Sequence, residues 1–399
     1  MKILLSAYAC EPWKGSEPDV GFQTMLSVAE HHDVWVLTKQ NNLPSLESVL
    51  QGDPRSERIS LHGLDLGTVS SRLKRIGRVG LMWYYHRWQG KASELALQLD
   101  LVVDFDAVFH ITFASYWMKV GAARVDKPLL LGPVGGAVEA PFRLFAELGW
   151  RGVVEELFRA AGRRIWFRLP GVRFAAQRAS HILVNNRETG RRLATVAKAP
   201  IKVLPNPTAV EVPAVLSPRN PSNDIAFVGR LIPWKGVQLA LRCMRYIRTP
   251  GARLLVFGEG PDQGRILRRI RRWRLEDRVS VVGHIARSEL LERLSQCGAM
   301  IHPALHEEGG NVVAEALAME VPVVCLDRGG PPITLSLFPA IESYAIAPQW
   351  PTQTARGMAA AIDRVLQNAR PRGQTTGRPQ LDFKQEVLTA LQSIAPGIG

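Results

Sequence analysis

Short apolar runs alternate with amphipathic stretches through the first half of the chain. KILLSAY, DVWVLT, AVFHIT, PLLLG and HILVN are rich in Val, Ile and Leu and nearly continuous in apolar character. Parallel strands read this way because helices cover both faces of their sheet. Between the runs, residues 20–31 and 93–101 carry a helical pattern. The pattern then resets. PNPTAVEVPAVLSPRNPSND, residues 205–224, is dominated by proline, asparagine and serine and reads as a linker. A second series follows: IAFVG, a helix from 237, RLLVFG, an arginine-rich helix, VSVVG, a helix from 288, AMIHP, a helix from Asn311 and VPVVCL. Two further helical patterns, at 355–367 and 383–394, flank a proline- and glycine-bearing stretch at 370–379.

Strand and helix in alternation means α/β. The expected architecture is two Rossmann-like doubly wound domains facing across a cleft. The boundaries read as an N-terminal domain over 1–205, a linker over 206–223, a C-terminal domain over 224–378, and a C-terminal helix over 379–399 that can pack back on the first domain. In such sheets ligands bind beyond the carboxyl ends of the strands.

The 399 residues are 46% apolar and 22% charged, a globular composition. No apolar run reaches the roughly 18–20 residues that span a bilayer. The apolar stretch at 3–9 is short for a signal sequence and reads as a first buried strand. Cys10, Cys243, Cys297 and Cys325 lie far apart without zinc spacing, which suits a reducing cytoplasm. Cys10 differs in entering a polar loop. The net charge of +14 attracts phosphates of some kind, be they nucleotide, lipid or nucleic acid. No zinc-finger, RNA-recognition or helix-turn-helix signature accompanies it, so nucleic acid is not an expected partner.

Three strand ends carry candidate chemistry. IAFVG runs into Gly229-Arg230-Leu231-Ile232-Pro233-Trp234-Lys235-Gly236, which places two cations between a strand end and a helix start. That arrangement suits a diphosphate, although a solvated basic loop would look the same. RLLVFG ends in Gly258-Glu259-Gly260-Pro261, neither a P-loop nor a strict GxGxxG. By itself it reads as a tight turn. The third, HEEGGNVVAEALAMEVPVVCLDRGGPP at 306–332, holds Glu307 and Glu315 eight positions apart. Gly309 and Gly310 allow close backbone approach, and Asn311 can cap the following helix. The amides of Asn311, Val312 and Val313 would then face an anion. Two carboxylates beside an anion are unfavourable unless they bond hydroxyls, which sugars supply. Glu308 reads as a loop charge.

GRLIPWKG, VFGEGP and the E-x7-E stretch with its trailing VPVVCLDRGGPP resemble the glycosyltransferases of family 4, retaining enzymes of the GT-B fold. The likeness is strong over 224–332. In the first half it extends to EPWKGSE at 11–17, VFHIT at 108–112 and GPVGG at 132–136. The resemblance implies that Arg230 and Lys235 neutralise a leaving diphosphate. It places Glu307 on hydroxyls of the transferred sugar, Glu315 on the ribose and His110 near the reacting centre, with Gly15 letting a loop pass the phosphates. Gly229, Gly258, Glu259, Gly260, Gly309, Gly310, Asn311 and Val312 complete the implied donor site. Many members have glycine and then an aromatic after the first glutamate. Here stand Glu308 and Gly309, and the extra charge could alter sugar preference or shift which glutamate faces the sugar.

Asp104-Phe105-Asp106 is formally a DxD, but no diphosphate loop stands beside it. Glu30-His31-His32-Asp33 reads as a helix end. No metal and no resident cofactor are expected, the nucleotide-sugar being a co-substrate. Residues 72–91 hold six Arg/Lys, no acid and four aromatics, Trp83, Tyr84, Tyr85 and Trp88. Residues 142–178 are similarly mixed. Both suit an anionic membrane surface, or a helix with a charged outer and an aromatic inner face. The arginines of GRILRRIRRWR, 264–274, fit a solvated helix face.

The reading is a retaining hexosyltransferase of polysaccharide-biosynthesis type, moving sugar from a nucleoside-diphosphate donor to a glycan, glycolipid or other small acceptor. It is expected in the cytoplasm, with peripheral contact to the inner face of the cell membrane. A nucleotide-sugar epimerase or hydrolase, or a silent carbohydrate- or membrane-binding protein, are the alternatives. The base, the sugar and the acceptor are not written in the chain.

Overall fold

All ten apolar runs are strands in the protein's structure, a computed structural model that describes residues 1–12, 16–67, 77–205, 222–368 and 383–395. The first sheet contains β1 (Lys2–Ala7), β2 (Asp33–Lys39), β3 (Ile59–Leu64), β4 (Ala107–Ile111), β5 (Leu129–Val134), β6 (His181–Val184) and β7 (Ile201–Val203). They lie in the order β3-β2-β1-β4-β5-β6-β7, all parallel. The second contains β8 (Asp224–Val228), β9 (Arg253–Phe257), β10 (Val279–Gly283), β11 (Ala299–His302), β12 (Val323–Leu326) and β13 (Tyr344–Ile346). Their order is β10-β9-β8-β11-β12-β13, again parallel.

Helices join the strands. The first half holds α1 (Ser16–Ala29), α2 (Leu43–Leu50), α3 (Gly77–Val103), α4 (Phe145–Phe167), α5 (Pro170–Arg178) and α6 (Arg187–Leu193). The second holds α7 (Val237–Met244), α8 (Gln263–Trp273), α9 (Arg287–Gln296), α10 (Asn311–Ala318), α11 (Pro331–Ser336), α12 (Pro351–Gln367) and α13 (Phe383–Ile394). Every residue of β4, β11 and β12 is buried, as strands covered on both faces require.

The chain forms two compact units. Unit 1 comprises Met1–Ala137, Gly162–Pro207 and Asp382–Gly399, and unit 2 comprises Val138–Ala161 and Thr208–Leu381. The sequence pattern placed 138–161 in the first domain, whereas this segment packs with the second sheet. Glu147 explains why. Its fully buried carboxylate accepts from Arg242 Nε at 2.7 Å and from Arg269 at 2.6 Å. A buried carboxylate is tolerable only with such partners. Arg265 adds two bonds of 2.9 Å to the carbonyls of Glu147 and Leu148. Leu144 and Leu148 join the apolar cluster built around β8, β9 and α12. The arginines of α8 are therefore not a uniformly solvated face, since Arg265 and Arg269 hold this segment.

In unit 1, α13 is tied by ion pairs of Lys202 with Glu386 and Lys384 with Glu30. The aromatic residues of α3 are mostly interior. Tyr84, Tyr85 and Trp88 are buried around Tyr8, with the Tyr8 ring edge-on to Tyr85 and to Trp88, and only Trp83 is exposed. The structure thus removes three of the four aromatics of 72–91 from any surface role. Residues 72–76 of that stretch lie outside the described residues.

Candidate functional site

β8 and β11 are adjacent parallel strands at the middle of the second sheet, so the loops leaving their carboxyl ends are neighbours. Leu305 N donates to Trp234 O at 2.8 Å between those loops. Gly236 has φ 79°, and a Cβ there would come within 2.0 Å of Pro303 O. Only glycine allows both the turn and the approach.

This packing brings Lys235 onto Glu307, whose Oε2 accepts from the lysine Nζ. His302, the last residue of β11, places its Nε2 3.5 Å from the same oxygen. Burial pushes the Glu307 carboxyl up, but the His302 ring and the Lys235 charge outweigh it and hold the group down at about 2. Glu307 is therefore a carboxylate at neutral pH. His302 escaped the sequence reading. Its signal was a polar residue closing an otherwise apolar strand, five positions before the glutamate.

Helix α10 opens four residues beyond Glu307. Its cap is Gly310 (φ 144°, ψ 33°), with no side-chain hydrogen bond to the first turn. Asn311 was expected to cap and instead is the first helical residue. The reason is the Gly310 backbone, in a region L side chains rarely adopt, where a Cβ would also meet Thr334 Oγ1 at 3.0 Å. The amides of Asn311, Val312 and Val313 are left without a side-chain cap, which adds to the partial positive charge of the helix start. Glu315, one turn inside, is nearly buried and accepts from Arg287 at 3.0 Å.

Glu308 is more than a loop charge. It accepts from Val138 N at 3.2 Å, and its Oε1 lies 3.5 Å from His306 Nε2. Glu156 similarly accepts from Ala140 N at 2.8 Å and pairs with Arg159. Arg328 donates to Glu139 O at 2.6 Å. The 138–140 segment is thus fastened beside the Glu307 loop within unit 2.

The glycines divide by use. Gly258 (φ 129°) and Gly260 (φ 159°) sit against the neighbouring loop, where a Cβ would come within 2.1 Å of Gly229 O and 2.5 Å of Leu231 O. Leu231 N in turn donates to Glu259 O at 2.9 Å. Gly330 stands where a Cβ would meet Gly309 O at 1.7 Å, and Gly329 where it would meet Glu307 O at 1.9 Å. Both pairs are explained by backbone packing. Gly229 (φ 154°) has no such crowding.

The structure therefore brings together Lys235, Glu307, Gly309, Gly310 and the uncapped start of α10 with Asn311 and Val312. Arg230 is exposed on the same loop as Lys235, and Glu259 is exposed on the next loop. His110 belongs to unit 1. It is fully buried on β4, its Nδ1 lies 3.0 Å from Ser6 Oγ on β1, and its Nε2 has no hydrogen-bond partner among the described residues. Burial lowers it to about 4, so the ring is neutral. Gly15 lies outside the described residues.

The DxD carboxylates are engaged elsewhere in unit 1: Asp104 pairs with Lys127, and Asp106 accepts from Lys2 N at 2.7 Å. Among the described residues no group of three or more His, Cys, Asp or Glu is placed to hold a metal. All four cysteines are unbridged and buried, and burial raises Cys10 to about 12. No helix among the described residues is long and apolar enough to cross a membrane.

The fold is that of the GT-B glycosyltransferases. Sucrose-phosphate synthase from Thermosynechococcus elongatus superposes with a TM-score of 0.60 at 19% identity, over 99% of this chain and 96% of that one. HepE of Anabaena, crystallised with UDP, gives 0.56 at 16% identity over 98% of this chain and all of that one. Residues 211–373 match the family described as glycosyl transferases group 1. Glycogen synthase of Mycobacterium tuberculosis is 31% identical over 188 residues, 45% of this chain and 44% of that protein. The chain thus aligns with less than half the length of this curated relative.

Proposed function

We propose that the protein is a family 4, retaining hexosyltransferase that takes its sugar from a nucleoside-diphosphate donor. The observation that carries this reading is the Lys235–Glu307 pair standing just before the uncapped start of α10, on adjacent strand-end loops. Such a site offers positive charge to a diphosphate and an ionised acceptor to sugar hydroxyls. The match to glycosyl transferases group 1 and the UDP complex of HepE support it.

In the reaction, the bond from the sugar's anomeric carbon to the phosphate oxygen breaks while a bond to the acceptor oxygen forms on the same face. The sugar passes through an oxocarbenium-like state and the diphosphate gains charge. Arg230, Lys235 and the α10 amides meet that charge, stabilising the transition state more than the ground state. The acceptor's proton passes to the departing phosphate oxygen, so no protein base is required. No metal is required either, because the cations lie on the chain. Glu307 bonds the sugar and Glu315 the ribose. A neutral His110 could serve a sugar only by hydrogen bonding. The acceptor is a glycan or lipid-linked glycan, met on the cytoplasmic side and, when lipid-linked, at the inner face of the membrane.

A thermal-shift screen of nucleoside diphosphates and their sugars tests the donor. A bound nucleotide stabilises by about 2.7 kcal/mol at a hundredfold excess over Kd. UDP is the first to try and GDP the second. No shift with any of them would remove the donor site. Rapid donor turnover without an acceptor would instead indicate a hydrolase.

A further inference from the structure

Helix α4 is apolar on two sides, and the described residues cover only one. The helix breaks at Gly149 (φ 72°, ψ 166°), and beyond the break Val153 and the buried Glu156 face the unit 2 interior. Trp150, Val154, Leu157 and Phe158 recur at helical spacing on the other side, and all are exposed, Trp150 by 73% and Phe158 by 76%. Phe142 and Trp350, also exposed in unit 2, stand edge to face with ring centroids 6.4 Å apart. Single exposed apolar residues are ordinary, but a contiguous aromatic-rich stripe on one helix is not.

The surrounding charge selects the occupant. Arg151 lies over the Trp150 ring at 5.2 Å and Arg143 over Phe142 at 5.6 Å. Two of the three acids of 142–158, Glu147 and Glu156, are buried in ion pairs with arginine, which leaves Glu155 exposed. Aromatic side chains beside guanidinium groups, lying along one helix, match the interfacial region of an anionic bilayer.

We propose that the exposed face of α4, from Trp150 to Phe158, docks on an anionic lipid surface, with the aromatics in the headgroup–acyl boundary and the arginines on lipid phosphates. This gives the proposed membrane-side location a surface, and it rests on that reading for its purpose. Lipid binding itself needs neither donor nor transfer.

Co-sedimentation of the full chain with vesicles tests it. Mixed phosphatidylglycerol–phosphatidylcholine vesicles should pellet the protein, and phosphatidylcholine alone should pellet far less. Trp150→Ser with Phe158→Ser should lower binding to the anionic vesicles by roughly tenfold or more while the thermal unfolding curve is kept. Arg151→Gln should lower it by about fivefold at low salt and less at high salt. Equal binding by the double variant, or no binding by the natural chain, overturns the proposal. So does a dimer in analytical ultracentrifugation that the double variant breaks, since the face would then close on a second copy. A chain that binds vesicles but shifts with no nucleotide would refute the transferase reading and leave this surface standing.

Discussion

Lys235 donates to Glu307, so one cation of the site is already matched by an acid of the same site. On the proposed function a diphosphate would meet a balanced pair there, with Arg230 and the α10 amides supplying the excess positive charge. Removing the lysine alone does two things. It takes a donor from the ligand and strands a carboxylate in a half-buried loop. Lys235→Ala should therefore cost about 1–3 kcal/mol of stability and lower transfer at least about tenfold. Adding Glu307→Gln should restore much of the stability, because the stranded charge is gone, but not the transfer. Denaturant unfolding of the two single variants and the double variant gives the coupling. Additive stability changes would show that the pair is not coupled.

Arg230 is the contrasting case. It is exposed and makes no ion pair among the described residues. Arg230→Ala should change stability by less than about 0.5 kcal/mol. Transfer should nonetheless fall about tenfold or more, chiefly in kcat, if the guanidinium meets charge that develops as the diphosphate leaves. Steady-state kinetics beside a melting curve separates the two. Unchanged kinetics would exclude Arg230 from the phosphate site.

His110 should make unit 1 sensitive to acid. Its ordinary value of 6.5 is lowered to about 4 by burial. As pH falls through 6.5, the unfolded chain binds this proton and the folded chain resists it until about 4. The contribution is therefore complete above that window and is lost across it, by on the order of 3 kcal/mol. His110→Asn keeps a polar partner for Ser6 and removes the titration. Its unfolding free energy should fall less steeply between pH 6.5 and 4 than that of the natural chain. Parallel slopes would mean that His110 is not the group responsible.

The strands that the apolar runs revealed are mostly interior, for a physical reason. β1, β4, β8 and β11 need apolar residues on both faces, and that leaves an unbroken signal. β3, β7 and β13 were missed, and all three are sheet edges of intermediate or exposed residues. Lys235 and Glu307 stood out in the sequence by their residue types and by their places after strand ends. Their mutual contact was not, since it depends on the Gly236–Pro303 approach across 67 residues of sequence. The same limit explains the misplaced 138–161 segment. Glu147 among apolar residues carries no mark of the two arginines that bury it, which lie about a hundred positions later. Glu308 likewise read as solvated until Val138 supplied its donor.

Gly330 tests whether the loops carrying this site must touch. Its backbone is ordinary for any residue, φ −75° and ψ −36°, so alanine brings no conformational strain. Its added Cβ would nevertheless fall 1.7 Å from Gly309 O and 2.5 Å from Glu308 O, both backbone atoms. The two loops would have to part, which also disturbs the Gly330 N–Glu307 O bond of 3.2 Å. Overpacking of this kind costs about 1–3 kcal/mol. Because Gly309 and Glu308 sit between Glu307 and α10, Gly330→Ala should weaken donor binding as well as stability. Gly90 is the control. It lies inside α3 with nothing within 4 Å of an added Cβ. Gly90→Ala should raise stability by about 0.5–1 kcal/mol, through helix propensity alone. The pair is read by melting temperature and by nucleotide-induced shift. If Gly330→Ala behaves like Gly90→Ala in both, the close approach of the two loops is wrong, and with it the placement of Glu307 beside Lys235.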